Sequence, residues 1–206
     1  MKLTVVSAGL STPSSTRLLA DRLADSVRAQ LPADREGATV EVVELRELAR
    51  GVADHLVTGF PSPRLAAAVE AVTSADGLVA VTPVFTASYS GLFKSFFDLV
   101  DPDALTGTPV LIGATGGTAR HSLVLEHALR PLFASLRSVV VPTAVYAASQ
   151  DWGAGGDAWS EGLPARVRRA GGELAALMSA RATRPGPDGE DGVTVPERRI
   201  ADLRLD

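Results

Sequence analysis

The sequence predicts an α/β fold built on a parallel, five-stranded sheet with helices on both faces. Short apolar runs typical of buried strands alternate with longer stretches in which apolar residues recur three and four positions apart, as on a helix. The chain has 206 residues, of which 46% are apolar, and this suits one α/β domain with a sizeable core. The predicted strands are residues 3–7, 39–43, 77–81, 108–114 and 139–146.

The helices between these strands follow from the spacing of their apolar residues. Residues 16–31 carry apolar side chains on one face and follow Ser14 and Ser15, either of which is a natural N-cap. Pro131 lies inside a helical pattern and predicts a kink or break near residues 128–130. We expect further helices at residues 45–50, 64–74, 92–100, 120–136 and 160–180, and a loop over residues 51–63.

Right-handed crossovers and a first strand in the middle of the sheet give the strand order 2-1-3-4-5 of a flavodoxin-like, three-layer sandwich. Pro142 predicts that the last strand lies at an edge or is bulged. Residues 1–180 would form this domain. Residues 184–192 have the composition of a linker, and we expect the tail, residues 181–206, to be disordered or to dock on a partner subunit.

Composition excludes several classes of function. The net charge of −4, with acidic and basic residues interspersed, gives no support for nucleic-acid or membrane-surface binding. The absence of cysteine excludes disulfides, thiolate chemistry and cysteine-ligated metals. The three histidines lack metal-ligand spacing, so no metal site is expected. The N-terminus does not resemble a signal peptide and no long apolar run is present, which predicts a cytoplasmic protein.

Three loops, residues 9–16, 83–90 and 115–118, are expected at the carboxyl edge of the sheet, where ligands bind in open α/β folds. The first loop leads into a helix whose free N–H groups and positive dipole end suit an anion. It is rich in hydroxyls, which makes it a candidate phosphate cradle without lysine; a merely well-capped helix is the alternative. These hydroxyls belong to Ser11, Ser14, Ser15 and Thr16.

The other two loops have small residues whose backbone amides could reach the edge of a flat polar ring. We expect Pro83 to end the third strand, and the alternative for residues 83–90 is an ordinary strand-to-helix connection. Gly116 and Gly117 allow positive φ and close backbone approach. Together the three loops describe a flavin mononucleotide (FMN) pocket. No dinucleotide glycine fingerprint or Walker lysine is found in the first loop, which argues against a Rossmann dehydrogenase and a phosphate-loop NTPase.

The residues of these loops resemble the NAD(P)H-dependent FMN reductase family, in the branch that supplies reduced flavin to two-component luciferase-like and alkanesulfonate monooxygenases. The similarity lies in Thr82-Pro83-Val84-Phe85, Tyr89-Ser90-Gly91-Leu92-Phe93-Lys94 and Ala114-Thr115-Gly116-Gly117-Thr118, together with the opening loop. It covers residues 1–180.

The resemblance implies a role for each loop. Ser11, Ser14, Ser15 and Thr16 would hold the FMN phosphate. The ring would be lined by residues of the two later loops: Pro83, Val84, Phe85, Thr86, Ser88, Tyr89, Ser90, Thr115, Gly116, Gly117 and Thr118. The helix around His127 would contain an inserted residue and pack at a subunit interface near the flavin, in a homodimer or homotetramer.

The implied reaction is hydride transfer from NADPH, or NADH, to N5 of FMN, chemistry that the cofactors themselves supply. No catalytic side chain is assigned; amides around Gly116 and Gly117 would stabilise negative charge at the N1/O2 end of the ring. Ser15 stands where many relatives carry arginine, which suits FMN that exchanges. No arginine cluster for a 2′-phosphate can be assigned, so the sequence does not choose between NADPH and NADH.

Two other functions remain open at this point. A bound-FMN reductase of quinones, azo dyes or chromate could use the same loops, because an open flavin face serves many acceptors. A non-enzymatic electron carrier of the flavodoxin type fits less well, because such carriers tend to be strongly acidic and this chain has a net charge of only −4. Asp151 and Trp152, on a glycine-rich loop at the same edge, would form a lid or an oligomer contact.

Overall fold

The computed structural model describes residues 1–32, 38–153 and 162–182. A parallel sheet forms its centre. The strands, in chain order, are β1 (Lys2–Ser7), β2 (Thr39–Glu44), β3 (Gly77–Phe85), β4 (Ser88–Tyr89), β5 (Pro109–Gly116), β6 (Val139–Val140) and β7 (Val145–Ala148). β4 pairs antiparallel with the end of β3, and every other pairing is parallel.

The sheet has the order β2-β1-β3-β5-β6, with β7 also paired to β5. Because β6 and β7 are two segments of the predicted fifth strand, this order is the predicted 2-1-3-4-5 and confirms the flavodoxin-like fold. The strand is interrupted between the two segments, where Pro142 lies, as the proline predicts.

Side chains satisfy the backbone at this interruption. Arg130 donates to the carbonyls of Val141 and Pro142, at 3.1 Å each. Glu173 accepts from the N–H and from the hydroxyl of Thr143, at 2.7 Å each. The backbone groups that leave the ladder here are therefore paired within the chain, as partly buried polar groups require.

Helices cover both faces of the sheet. They are α1 (Ser15–Arg28), α2 (Leu45–Thr58), α3 (Pro63–Thr73), α4 (Gly91–Phe97), α5 (Arg130–Ser135) and α6 (Leu163–Ala182). α1 and α6 bury an apolar cluster that includes Leu23 and Leu174 on one face. The other helices bury a second cluster on the opposite face, which includes Leu48, Phe93 and Phe133. Two separate cores on either side of the strands make the three layers.

The loop predicted over residues 51–63 is wrong in its first half. α2 continues through Gly51 to Thr58 and ends at Gly59, which has a φ of 76°. The apolar stripe of Leu45, Leu48 and Val52 packs into the core, and this tertiary contact outweighs the weak helix propensity of one glycine. The prediction for the next helix holds, since α3 begins at Pro63, capped by Ser62.

The helix predicted over residues 120–136 is broken into three pieces. A single 3₁₀ turn (Ala119–His121) is followed by a π-helix (Leu125–Leu129) and then by α5. The N–H of Arg130 donates to the carbonyl of Leu125, five residues earlier. The extra residue of a π-helix confirms the insertion implied by the resemblance. Pro131 is the second residue of α5 and lies in its first turn, where a missing N–H is tolerated.

The tail, residues 181–206, was predicted to be disordered or to dock on a partner subunit. Its residues from 183 onward lie outside the described part of the chain. Among the described residues, no helix is long and apolar enough to cross a membrane. In the same residues, no three side chains of His, Asp or Glu come together as metal ligands.

Candidate functional site

The three predicted loops, residues 9–16, 83–90 and 115–118, are called the first, second and third segments below. They meet at the carboxyl edge of the sheet. Hydroxyl oxygens of Thr16, in the first turn of α1, and Thr115, near the end of β5, lie 2.8 Å apart. Thr115 is in register with Pro83 of β3. The N–H of Ala8, just after β1, donates to the carbonyl of Val81 at 2.9 Å. The ends of three neighbouring strands therefore form one continuous surface.

The first segment presents an exposed turn followed by the N-terminus of α1. The Ser14 hydroxyl oxygen accepts from the N–H of Arg17 at 3.2 Å, which confirms Ser14 as the N-cap and leaves its O–H able to donate outward. Ser11 and Ser15 are exposed, whereas Thr16 is buried and its hydroxyl is engaged by Thr115. Thr16 therefore contributes a backbone N–H at the helix start rather than an open hydroxyl.

Gly9 allows this turn to close on the helix. A Cβ at this position would collide with the Ser14 hydroxyl and lie 3.2 Å from the Cβ of Thr16. The absence of a side chain at Gly9 lets the chain pass directly under the helix start. A helix start flanked by the exposed residues Ser11 and Ser15 is a candidate anion cradle.

Arg46, at the start of α2, reaches this segment and was missed by the sequence interpretation. Its Nη1 donates to the hydroxyl of Thr12 and, at 3.4 Å, to the carbonyl of Ser11. Its Nε lies 3.1 Å from a carboxylate oxygen of Glu44. Glu44 also pairs with Arg17, and that contact, with a stronger one to Asp21, raises the pKa of Arg17. Arg17 is therefore held by carboxylates rather than freely solvated.

The second segment is a β-hairpin. β3 continues through Pro83 to Phe85, so the expectation that Pro83 ends the strand is wrong. Val84 and Phe85 pair back with Tyr89 and Ser88. Parallel pairing with β5 also extends to Pro83. The pairing of β3 with β1 has ended at Val81, so one side of β3 is free at Pro83 and the missing N–H is tolerated there.

The hairpin turns at Thr86 and Ala87, which have φ values of 47° and 66°. Two consecutive positive φ values are those of a type I′ turn, which usually requires Asn or Gly. A β-branched residue in this region is a strained outlier, and such strain is concentrated at functional sites. The turn is exposed and carries Phe85 with 46% of its surface accessible.

Behind the turn, the hairpin is anchored to α4. The N–H of Ser90 donates to the Thr82 hydroxyl at 3.0 Å, and the Ser90 hydroxyl accepts from the N–H of Phe93 at 3.1 Å. Ser90 is buried, so its side chain caps α4. Tyr89 is half-buried, with its ring 6.0 Å from that of Phe93. Of the residues predicted to line the ring, Phe85 and Thr86 are exposed and Val84, Ser88 and Tyr89 are half-buried. Pro83 and Ser90 are buried, so they contribute backbone rather than side-chain surface.

The third segment is shaped by Tyr146 of β7, a residue that the sequence interpretation used only as part of a strand. The Tyr146 hydroxyl donates to the carbonyl of Thr118 at 2.8 Å. A Cβ on Gly116 would collide with that hydroxyl, so Gly116 is needed for the close approach of the ring. Burial, with a smaller contribution from the charge of Asp151, raises the pKa of Tyr146 and keeps it a neutral donor.

Gly117 faces open space, with no heavy atom within 4 Å of the position that its Cβ would occupy. Neither Gly116 nor Gly117 has a positive φ, so the pair does not use the positive φ that glycine allows, whereas the expected close approach is present at Gly116. Their function in the structure is steric: Gly116 admits Tyr146, and Gly117 leaves the surface of the segment bare.

The remaining residues singled out in the sequence lie around this surface. His121 and His127 are exposed, and His127 lies in the π-helix. Asp151 accepts from the N–H of Ala148 at 2.8 Å and pairs with Arg166. Trp152 stacks under the Arg22 guanidinium, 4.9 Å from the ring centre. Asp151 and Trp152 are thus held within the chain, tying the end of β7 to α6 and α1.

This sheet order, with a hydroxyl-rich helix start beside two further backbone segments at the carboxyl edge, defines a flavodoxin-like α/β protein. Residues 1–153 match the family model for NADPH-dependent FMN reductases, and the chain belongs to that family. The chain is therefore an NAD(P)H:FMN oxidoreductase, which confirms the enzyme class and the flavin predicted from the three segments.

Individual relatives agree with this assignment. An FMN reductase (NADPH) of Pseudomonas aeruginosa is 39% identical over 183 residues, covering 87% of this chain and 94% of that protein. An NADH-dependent FMN reductase, SfnF, of Pseudomonas fluorescens is 38% identical over 86% of this chain and 92% of its own length. An oxidoreductase of Corynebacterium diphtheriae is similar in structure, with a TM-score of 0.81 and 49% identity over 87% of this chain and 97% of that one.

Proposed function

We propose that the three segments at the carboxyl edge hold FMN, and that the chain reduces it with NADPH or NADH and releases reduced flavin to a partner monooxygenase. The observation that carries this proposal is the hydrogen bond between Thr16 and Thr115. It joins the start of α1 to the segment 115–118, which is in register with Pro83 of the hairpin. This supports a phosphate site and a ring site on one surface.

The phosphate would lie at the start of α1. The outward O–H of Ser14, the exposed hydroxyls of Ser11 and Ser15, and the free N–H groups of the first turn are donors of the kind that bind phosphate. The cradle under Gly9 supports this fit, because any side chain there would fill it.

The ring would lie between the hairpin of β3 and β4 and the segment 115–118. When bound, FMN supplies the two-electron chemistry, accepting a hydride from the nicotinamide. This chain would orient the two rings and exclude water between them, with Val84 and Phe85 on one side. N–H groups at Gly116 and Gly117 would stabilise the negative charge that develops on the ring.

Release of the reduced flavin is supported by the openness of the cradle. Ser11, Ser15, Phe85 and Gly117 are all exposed. The resemblance implies arginine at the position of Ser15 in many relatives, and a serine there would give the phosphate one fewer fixed charge to hold it. Resemblance to the branch that serves two-component monooxygenases supports a monooxygenase as the acceptor.

Assembly into a homodimer or homotetramer is also part of the proposal. Phe93, Phe96 and Phe97 on α4 fill the core of this chain, so they offer no apolar surface to a second copy. Leu123, with 62% of its surface accessible, lies beside the π-helix that carries His127. This is the apolar surface that a second copy would cover.

Steady-state oxidation of NADPH, and separately of NADH, tests the proposal when FMN, FAD and riboflavin are each titrated in. We expect nearly colourless protein whose rate saturates with added FMN. Yellow protein that is reduced by NADPH but ignores added FMN would instead establish a bound-flavin reductase of quinones, azo dyes or chromate. Bound FMN without any oxidation of NADPH would contradict the enzymatic proposal altogether.

A further inference from the structure

The exposed turn of the first segment is held from outside by one arginine. Residues 10–13 are exposed, so few packing contacts fix their backbone. Arg46 contacts two neighbours in this turn, the carbonyl of Ser11 and the hydroxyl of Thr12. These contacts connect α2 to a turn that is otherwise continuous only with β1 and α1.

The orientation of Arg46 is itself fixed. Glu44, the last residue of β2, receives Arg46 on one carboxylate oxygen and Arg17 on the other. The Glu44 side chain is 20% accessible, compared with 32% for Arg46. Charges balance locally, because Arg17 and Arg46 face Asp21 and Glu44. A role for Arg46 therefore depends on where it holds the turn rather than on a net positive field.

We propose that Arg46 is a positioning residue for phosphate recognition: it fixes the 10–13 turn so that Ser11 and the donors at the start of α1 face one phosphate monoester. The proposal rests on the proposed function, since that function places a phosphate at this helix start. Two substrates of the reaction carry such a group, the 5′-phosphate of FMN and the 2′-phosphate of NADPH, and both have the chemistry that this turn would recognise.

The test compares ligands that differ only in a phosphate. Purified Arg46→Ala and wild-type protein are titrated with FMN and with riboflavin, followed by quenching of flavin fluorescence, and KM is measured for NADPH and for NADH. Arg64→Ala is the matched control, because Arg64 is also the second residue of its helix and also pairs with a glutamate, Glu47, but does not touch the turn.

We expect Arg46→Ala to weaken FMN binding about tenfold while riboflavin binding stays within about twofold, as for loss of one charge-assisted contact set. If the effect appears instead as a raised KM for NADPH and an unchanged KM for NADH, the phosphate at this turn is the 2′-phosphate. The proposal is overturned if Arg46→Ala weakens the binding of FMN and of riboflavin equally. It is also overturned if neither flavin affinity and neither KM changes.

Failure of the proposed function would be visible separately. Wild-type protein would then fail to oxidise either nicotinamide nucleotide with any flavin, whatever happens at Arg46. Thermal unfolding of Arg46→Ala within a few degrees of wild type establishes that the variant is folded. Arg46→Lys distinguishes geometry from charge, since lysine lacks the fork that reaches Glu44 and the turn together, and we expect it to resemble Arg46→Ala.

Discussion

The hydroxyls of Thr16 and Thr115 form a buried hydrogen bond of 2.8 Å between residues 99 positions apart. Thr16 is 2% accessible and Thr115 is 3% accessible, so neither hydroxyl has water as an alternative partner. This contact fixes the distance between the start of α1 and the end of β5. The separation between the proposed phosphate and ring sites is thus set in the core rather than by the loops.

The costs of removing the two hydroxyls should not add. Thr16→Val or Thr115→Val leaves a buried hydroxyl without a partner and should lower the free energy of unfolding by about 1–3 kcal/mol. The double variant should cost little more than the worse single variant. Urea unfolding of the four proteins measures this coupling. Thr106→Val, on an exposed residue, is the control, and strictly additive losses would contradict the pairing.

Gly117→Val should abolish FMN-supported oxidation of NADPH while leaving the fold intact. Open space surrounds the Gly117 Cβ position, so the valine needs no repacking but covers the bare backbone of the proposed ring site. Activity assays and thermal unfolding together check this. Full activity in this variant would remove segment 115–118 from the site.

The neighbouring glycine should behave in the opposite way. Gly116→Ala places a methyl group against the Tyr146 hydroxyl and should destabilise the protein by about 1–3 kcal/mol, as overpacking does. Tyr146→Phe in the same protein removes the clashing oxygen, and the nearest ring atom is then 3.2 Å away. We expect part of the stability to return in denaturant titrations. A double variant no more stable than Gly116→Ala would show that the clash lies elsewhere.

Replacing Thr86-Ala87 by Asn-Gly should stabilise the hairpin. Both positions have positive φ, and relief of a β-branched residue there is worth about 1 kcal/mol. Thr86→Val is the control, since it removes the hydroxyl but keeps the strained branching, and it should give no gain. If Asn-Gly raises stability and also raises KM for FMN, the strain serves binding; a loss of stability would contradict the turn geometry.

The Glu126–Arg130 pair predicts a small acid-dependent term in stability. Two hydrogen bonds from Arg130, at 2.6 and 3.0 Å, lower the pKa of Glu126. The folded pKa lies below the unfolded one, so this contribution is present above the ordinary glutamate range and is lost as pH falls through the lowered value. The advantage of wild type over Glu126→Gln, about 0.5 kcal/mol at pH 7, should therefore shrink as the pH falls below the ordinary glutamate range. A constant difference would contradict this.

The sequence predicted the features that depend on local pattern. Apolar runs marked each strand, and Ser14 marked a helix start, because burial and capping leave their signature within a few residues. The strand order predicted that the candidate phosphate-binding loop and the two candidate ring-binding loops lie together, since the carboxyl ends of parallel strands share one edge.

Features created by tertiary approach left weaker signals. Thr86-Ala87 lacks the Asn-Gly signature of a type I′ turn, so the sequence did not predict the hairpin in which Val84 pairs with Tyr89. Arg46 and Tyr146 act on segments 35 and 28 positions away respectively, counted to Ser11 and Thr118. Arg46 was predicted only as part of a short helix and Tyr146 only as part of an edge strand, so neither was assigned to the site. A long side chain at a helix start or near the carboxyl end of a strand can reach such loops, and this is the signal that could have found them.

The interruption of the last strand affects whether the edge of the sheet can pair with a strand of another molecule. An open sheet can recruit strands from other molecules at either edge. At the β6–β7 edge, Arg130 and Glu173 already occupy the carbonyls and the N–H around Pro142, so no uninterrupted template is offered. At the β2 edge, Glu41 and Glu44 place charge along the strand. Both edges are therefore poor templates for a strand from another molecule, which disfavours edge-to-edge growth of the sheet into fibrils.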